Sequence, residues 1–224
     1  PYRVMLHMPT GSGKTRTAMS VIAAMLNTGE PKLIVWLAHS EELCEQAVEE
    51  FETAWASLGN RPGSVQRWWG PHSLKMPIVR DGIIIAGLRK AFLSAQRSIS
   101  DVGTIAGQVS LVVMDEAHQA VAPTYQLILD VITESGRTAP LLGLTATPGR
   151  SWNDIDEDQR LADFFCQRKV PLEIEGYDNP IRYLVDEGYL ADTEFFQLEY
   201  SGGEELSLHE LRELRESLDI PPTI

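Results

Sequence analysis

Met8-Pro9-Thr10-Gly11-Ser12-Gly13-Lys14-Thr15 is the stretch that decides the fold of this 224-residue chain. Ahead of it, Arg3–His7 has the character of a short strand, and behind it, from Gly13, apolar residues recur at helical spacing. A glycine-rich turn between a strand and a helix lets successive N–H groups curl inward around an anion, and the helix N-terminus adds its partial positive charge. Pro9, Thr10, Gly11, Ser12, Gly13, Lys14 and Thr15 are therefore expected to cradle the β- and γ-phosphates of ATP. Lys14 neutralises charge there and the Thr15 hydroxyl is a ligand for Mg²⁺. Met8 stands where this loop usually opens on Gly, so the entry to the cradle is bulkier than the pattern.

Outward from the loop, short β-branched runs alternate with longer helical segments. The clearest runs are Leu33–Leu37, Gly82–Ala86, Leu111–Met114 and Leu141–Leu144, with helices following Gly13, Ser40, Gly87 and Pro123. That alternation predicts a P-loop NTPase fold of α/β class: a doubly wound parallel sheet, helices on both faces, ligands at the carboxyl ends of the strands. Asn179–Gly188 reads as a further helix, with Pro180 in its first turn and Gly188 past its end, and Thr193–Tyr200 as a last strand. Leu208, Leu211, Leu214 and Leu218 form an apolar stripe between Ser207 and Pro221. The expected organisation is one domain over 3–200 and an acidic helical tail or linker over 201–224.

Leu111–Met114 runs into Asp115-Glu116-Ala117-His118, which sets two carboxylates at a strand end facing the cradle. Asp115 is the expected second Mg²⁺ ligand and Glu116 the group that polarises the attacking water. Thr145-Ala146-Thr147-Pro148 ends the following strand, and its two hydroxyls are in position to couple to His118 or Asp115.

In order and spacing, the loop at 9–15, Asp115–His118 and Thr145–Pro148 resemble motifs I, II and III of superfamily 2 helicases. The resemblance is firm over about residues 3 to 150, and it implies a RecA-like lobe that binds ATP·Mg²⁺ and couples hydrolysis to movement on nucleic acid. Leu37-Ala38-His39-Ser40 and Ala86-Gly87-Leu88-Arg89-Lys90 resemble the family's strand-to-helix turns that touch the nucleic-acid backbone, which makes His39, Ser40, Gly87, Arg89 and Lys90 candidate contacts. The spelling Asp-Glu-Ala-His, with Thr-Ala-Thr-Pro-Gly-Arg, resembles restriction-enzyme and repair-type DNA translocases more than RNA helicases. Arg150 either reaches the lobe interface or caps its turn. The family hydrolyses ATP between two such lobes and draws arginine from the second, which this chain is expected to lack; weak turnover by the chain alone follows.

The net charge of −13 argues against a binder that works by bulk electrostatics, so any nucleic acid must be gripped locally. The acids concentrate in Glu41–Glu52, Asp154–Asp158 and Glu204–Glu216, as solvated helix faces and a tail. Cys44 and Cys166 fit neither a disulfide framework nor a metal site and read as buried thiols. Trp68 and Trp69, adjacent on a strand, must point to opposite faces, which favours packing over a base-stacking platform. No apolar run is long enough to span a bilayer, and a cytoplasmic protein is expected. Three alternatives carry less of the pattern: an RNA helicase, a nucleotide-switched interaction module without motor activity, and a P-loop kinase, for which neither an arginine-bearing lid nor an acceptor pocket is visible.

Overall fold

The computed structural model describes residues 2–74, 80–134, 138–147 and 155–192. In chain order the elements are β1 (Arg3–His7), α1 (Lys14–Leu26), β2 (Leu33–Ala38), α2 (Glu41–Leu58), β3 (Val65–Trp68), β4 (Gly82–Gly87), α3 (Leu88–Arg97), α4 (Ile99–Ala106) and β5 (Val109–Met114). A 3-10 turn (Ala117–Gln119), α5 (Pro123–Glu134), β6 (Leu141–Thr145), α6 (Ile155–Phe164), β7 (Lys169–Pro171) and α7 (Pro180–Asp186) follow. The strands form one parallel sheet in the order β3-β4-β2-β5-β6-β1-β7. The chain divides into a unit spanning Pro1–Leu190 and a second spanning Ala191–Ile224. The proposed last strand, the apolar stripe of the tail, Pro148 and Arg150 lie outside the described residues.

β2 shows why the sheet is parallel and central. Its six residues are all buried, and they alternate between two cores. Leu33, Val35 and Leu37 join the layer under α3, α4, α5 and α6, whereas Ile34, Trp36 and Ala38 join the layer under α1 and α2. A strand covered on both faces has no use for polar alternation, which accounts for its unbroken apolar run. Trp68 and Trp69 obey the same geometry, one in each layer, at 5% and 2% exposure. Packing therefore uses both rings. Cys44 is buried as expected, but Cys166 is exposed, because it lies in the turn after α6 with a positive φ of 54°. Among the described residues no helix is long and apolar enough to cross a membrane.

Gly143 in β6 is dictated by close approach. A Cβ there would lie 2.5 Å from Phe165 Cζ and 2.7 Å from Ala117 Cβ, closer than carbon atoms pack. The missing side chain lets Ala117, just after the acidic pair, lie against the sheet. Gly143→Ala should lower unfolding free energy by roughly 1–3 kcal/mol, the usual cost of overpacking a close-packed core. Denaturant unfolding measures it, and an unchanged midpoint would show that Phe165 has room to move.

Candidate active site

β1 ends at His7, and Met8 continues it, buried at 5% exposure with its N–H donated to the Thr145 carbonyl (3.1 Å). A bulky residue at the opening of the loop is thus absorbed by the core. The loop then turns on two glycines in left-handed conformations, Gly11 (φ 78°) and Gly13 (φ 92°), which L residues rarely adopt. Ser12 closes it through its N–H and its hydroxyl, both donated to the Pro9 carbonyl at 3.2 and 2.6 Å. Lys14 folds inward and donates from Nζ to the same carbonyl at 3.3 Å. α1 begins at Lys14 with no side-chain cap and no acid in its first turn. An uncapped helix N-terminus beside a lysine is a site for an anion.

The opposite wall is the end of β5. β6 runs between this strand and β1. Thr145, the last residue of β6, is therefore the midpoint of the site, paired in register with His7. Asp115 donates its N–H to Leu37 O (2.9 Å), and its carboxylate, in a residue only 9% exposed, accepts the Glu116 N–H at 3.0 Å. Burial raises the Asp115 pKa above the ordinary aspartate value. The Glu116 amide opposes that rise, the Glu116 charge adds to it, and the charges of Lys14 and His39 oppose it. The influence of Lys14 ties the acidic wall to the cradle.

Glu116 is held at φ 49°, ψ 52°, a left-handed conformation that costs a non-glycine residue free energy. The strain turns the chain sharply after the strand and aims the Glu116 carboxylate at His118, whose Nδ1 lies 3.3 Å from Oε2. Thr145 Oγ1 is 3.5 Å from the same nitrogen. The hydroxyl donates to Thr147 O (2.9 Å) and accepts the Thr147 N–H (3.1 Å). With its proton spent on Thr147, the hydroxyl meets His118 as an acceptor, and so does the Glu116 carboxylate. The network therefore puts a proton on His118 Nδ1.

The strand-to-helix turns after β2 and β4 lie side by side, since Ala38 and Gly87 are register partners. His39 and Arg89 are exposed there. Ser40 caps α2, its hydroxyl accepting the Leu43 N–H at 3.3 Å. Lys90 is engaged elsewhere: its ammonium donates to the carbonyls of Gly70 (2.7 Å) and His72 (2.6 Å) and so fastens the turn after β3. Sequence reasoning passed over His7, whose Nε2 lies 3.2 Å from Ala146 O; a histidine ending the strand that leads into the loop was the available signal.

Thr15 and Asp115 supply a hydroxyl and a carboxylate, the hard oxygen donors that Mg²⁺ takes. Among the described residues no three His, Cys, Asp or Glu side chains assemble as a metal cage. That donor set suits a cation that also binds substrate phosphates and water. Ionisation of Asp115 has a stability cost: an acid whose folded pKa is raised stabilises the fold when protonated and loses that contribution as pH climbs through its titration. Asp115→Asn is accordingly expected to raise the melting temperature at neutral pH, with the gain fading as pH falls below the carboxylate range. Thermal melts across that range check the sign, and a loss at neutral pH would mean that the charge is stabilised in the fold.

Residues 1–150 match the model of the family described as type III restriction enzyme, res subunit. The chain is 26% identical over 157 residues to the ATP-dependent DNA helicase MPH1 of Pyricularia oryzae, covering 68% of this chain and 14% of that protein. To the ATP-dependent DNA helicase mph1 of Sclerotinia sclerotiorum it is 30% identical over 182 residues, 78% of this chain and 14% of that protein. The chain thus spans a small part of the curated relatives it matches. Among solved structures, the Pyrococcus furiosus Hef helicase domain superposes with a TM-score of 0.57 at 24% identity, over 76% of this chain and 35% of that one. A DEAD box protein from Methanococcus jannaschii gives 0.55 at 19% identity, over 76% and 45%.

Proposed function

The chain belongs to the family of the type III restriction enzyme res subunit, as a RecA-like, ATP-binding lobe of a superfamily 2 helicase, and from that premise we propose that it drives movement on DNA. The observation that carries the proposal is the convergence of the cradle, the acidic pair and the Thr145 turn on one end of the sheet. In this reading Gly11–Thr15 wrap the phosphates and Lys14 neutralises them. Thr15 and Asp115 hold Mg²⁺, which when bound offsets charge on the β- and γ-phosphates. Glu116 takes a proton from the attacking water, and His118, Thr145 and Thr147 carry the state of the site to the nucleic-acid side.

His39, Ser40, Gly87, Arg89 and Lys90 mark that side. His39 and Arg89 meet backbone phosphates directly, Ser40 and Gly87 shape the two turns, and Lys90 fixes the loop beside them. DNA is favoured over RNA by the two relatives named as ATP-dependent DNA helicases and by the Asp-Glu-Ala-His spelling. The transition state needs an arginine from a second RecA-like lobe, a contribution worth roughly 10³-fold or more in comparable NTPases, so residues 1–224 alone turn ATP over slowly.

Steady-state ATPase assays of the full-length protein with single-stranded DNA, duplex DNA and RNA test the reading. Stimulation by DNA is expected. Equal rates with and without all three nucleic acids would point instead to a nucleotide switch, and fast DNA-stimulated turnover by residues 1–224 would refute the need for a second lobe.

A further inference from the structure

Two histidines converge on the turn that ends β6, one from each wall of the site. His118 reaches Thr145 Oγ1 from the acidic wall (3.5 Å). His7, the residue immediately before the phosphate loop, reaches Ala146 O from the β1 wall at 3.2 Å. A carbonyl only accepts, so His7 Nε2 carries a proton and donates it. His7 and Thr145 are register partners on adjacent parallel strands, which places their side chains on one face of the sheet. The peptide that follows His7 is pinned at both of its polar groups: the Met8 N–H is bound to Thr145 O, and the His7 carbonyl accepts the Leu172 N–H at 3.0 Å.

We propose that His7 is a positioning residue that ties the phosphate cradle to the Thr145–Thr147 turn, and through it to His118 and Glu116. The inference rests on the reading of this site as an ATPase. What the bond supplies is stiffness. The Met8 N–H bond to the Thr145 carbonyl closes the β1–β6 pairing, and Ala146 lies just past it, where the other described hydrogen bonds of the turn are local ones between Thr145 and Thr147. The His7 bond carries the long-range restraint one residue further, to the Ala146 carbonyl. It makes a shift of the cradle on filling with nucleotide felt at the Ala146 carbonyl. From there it passes to the hydroxyl that faces His118, and so to the carboxylate that His118 orients. His7 touches neither phosphate nor water in this scheme. Its work is to keep the two walls in step.

The test compares His7→Leu, which fills space without a donor, with His7→Gln, whose amide nitrogen can replace Nε2–H. Two readouts are taken in the full-length protein. In nucleotide-free protein, deuterium uptake by the peptide covering residues 141–147 should rise in His7→Leu by roughly five- to tenfold, the equivalent of about one net hydrogen bond. It should return toward the parent value in His7→Gln, with uptake over residues 33–38 unchanged in both. In steady-state assays, His7→Leu should lower DNA-stimulated kcat by a similar factor while KM for ATP stays within about twofold, and His7→Gln should restore it. Equal uptake in parent and both variants overturns the proposal, as does a rise over 33–38 as large as that over 141–147, or a KM change without a kcat change. If the parent itself shows no ATPase, the ATPase reading fails, and the uptake comparison still decides whether the tie exists.

Discussion

Lys14→Ala is expected to lower kcat/KM for ATP by roughly 10²–10³-fold, the size of losing one preorganised charge-stabilising group. Two features make this effect large. Lys14 opens an α1 terminus that has no side-chain cap, and its ammonium already points into the loop, donating to Pro9 O at 3.3 Å. Without it, the cradle offers backbone dipoles to the phosphates of ATP but no full positive charge. The fold has little stake in the residue. Lys14 is only partly buried and forms no ion pair among the described residues, so stability should move by less than about 0.5 kcal/mol. A variant that loses activity and also melts early would shift the explanation from charge to structure.

Glu116→Gln should cut kcat by roughly 10²–10⁴-fold, the range supplied by a positioned general base, while leaving ATP affinity near the parent value. The left-handed backbone at Glu116 sharpens the expectation. Glutamine keeps both the strain and the reach to His118 but cannot take a proton. Glycine adopts φ 49° freely, so Glu116→Gly should be as inactive yet no less stable, gaining up to about 1 kcal/mol once the strain is relieved. Loss of turnover paired with unchanged or higher stability is the mark of a residue kept for chemistry. If Glu116→Gln retained more than a tenth of parent turnover, the base would have to be sought elsewhere in the site.

Much of this was legible in the residues. β1, the helices after Gly13, Ser40, Gly87 and Pro123, and the Pro180 helix with Gly188 beyond it all stand where turn chemistry and apolar spacing put them. The acidic pair and the cradle do share one end of the sheet. What could not be read was lateral order. Spacing along a chain does not say which strand lies between two others, and the insertion of β6 between β1 and β5 makes Thr145 the centre of the site rather than an accessory. β3 and β7 escaped notice because edge strands of four and three residues carry too little periodicity. Lys90 looked like a free phosphate contact because a surface cation and one that holds two carbonyls have the same sequence signature. His7 ends its strand in plain view, but its partner, a backbone carbonyl 139 residues away, leaves no mark in the sequence.

The proposed function requires Lys14 and the acidic wall to form one site for ATP and a divalent cation. Equilibrium titration of the chain with ATP, run with and without Mg²⁺ on the parent, Lys14→Ala and Asp115→Asn, tests it most directly. Saturable binding by the parent that Mg²⁺ strengthens is expected, with loss of binding in Lys14→Ala and binding in Asp115→Asn that no longer responds to Mg²⁺. Parent binding that ignores Mg²⁺, or Lys14→Ala binding as tightly as the parent, would contradict it.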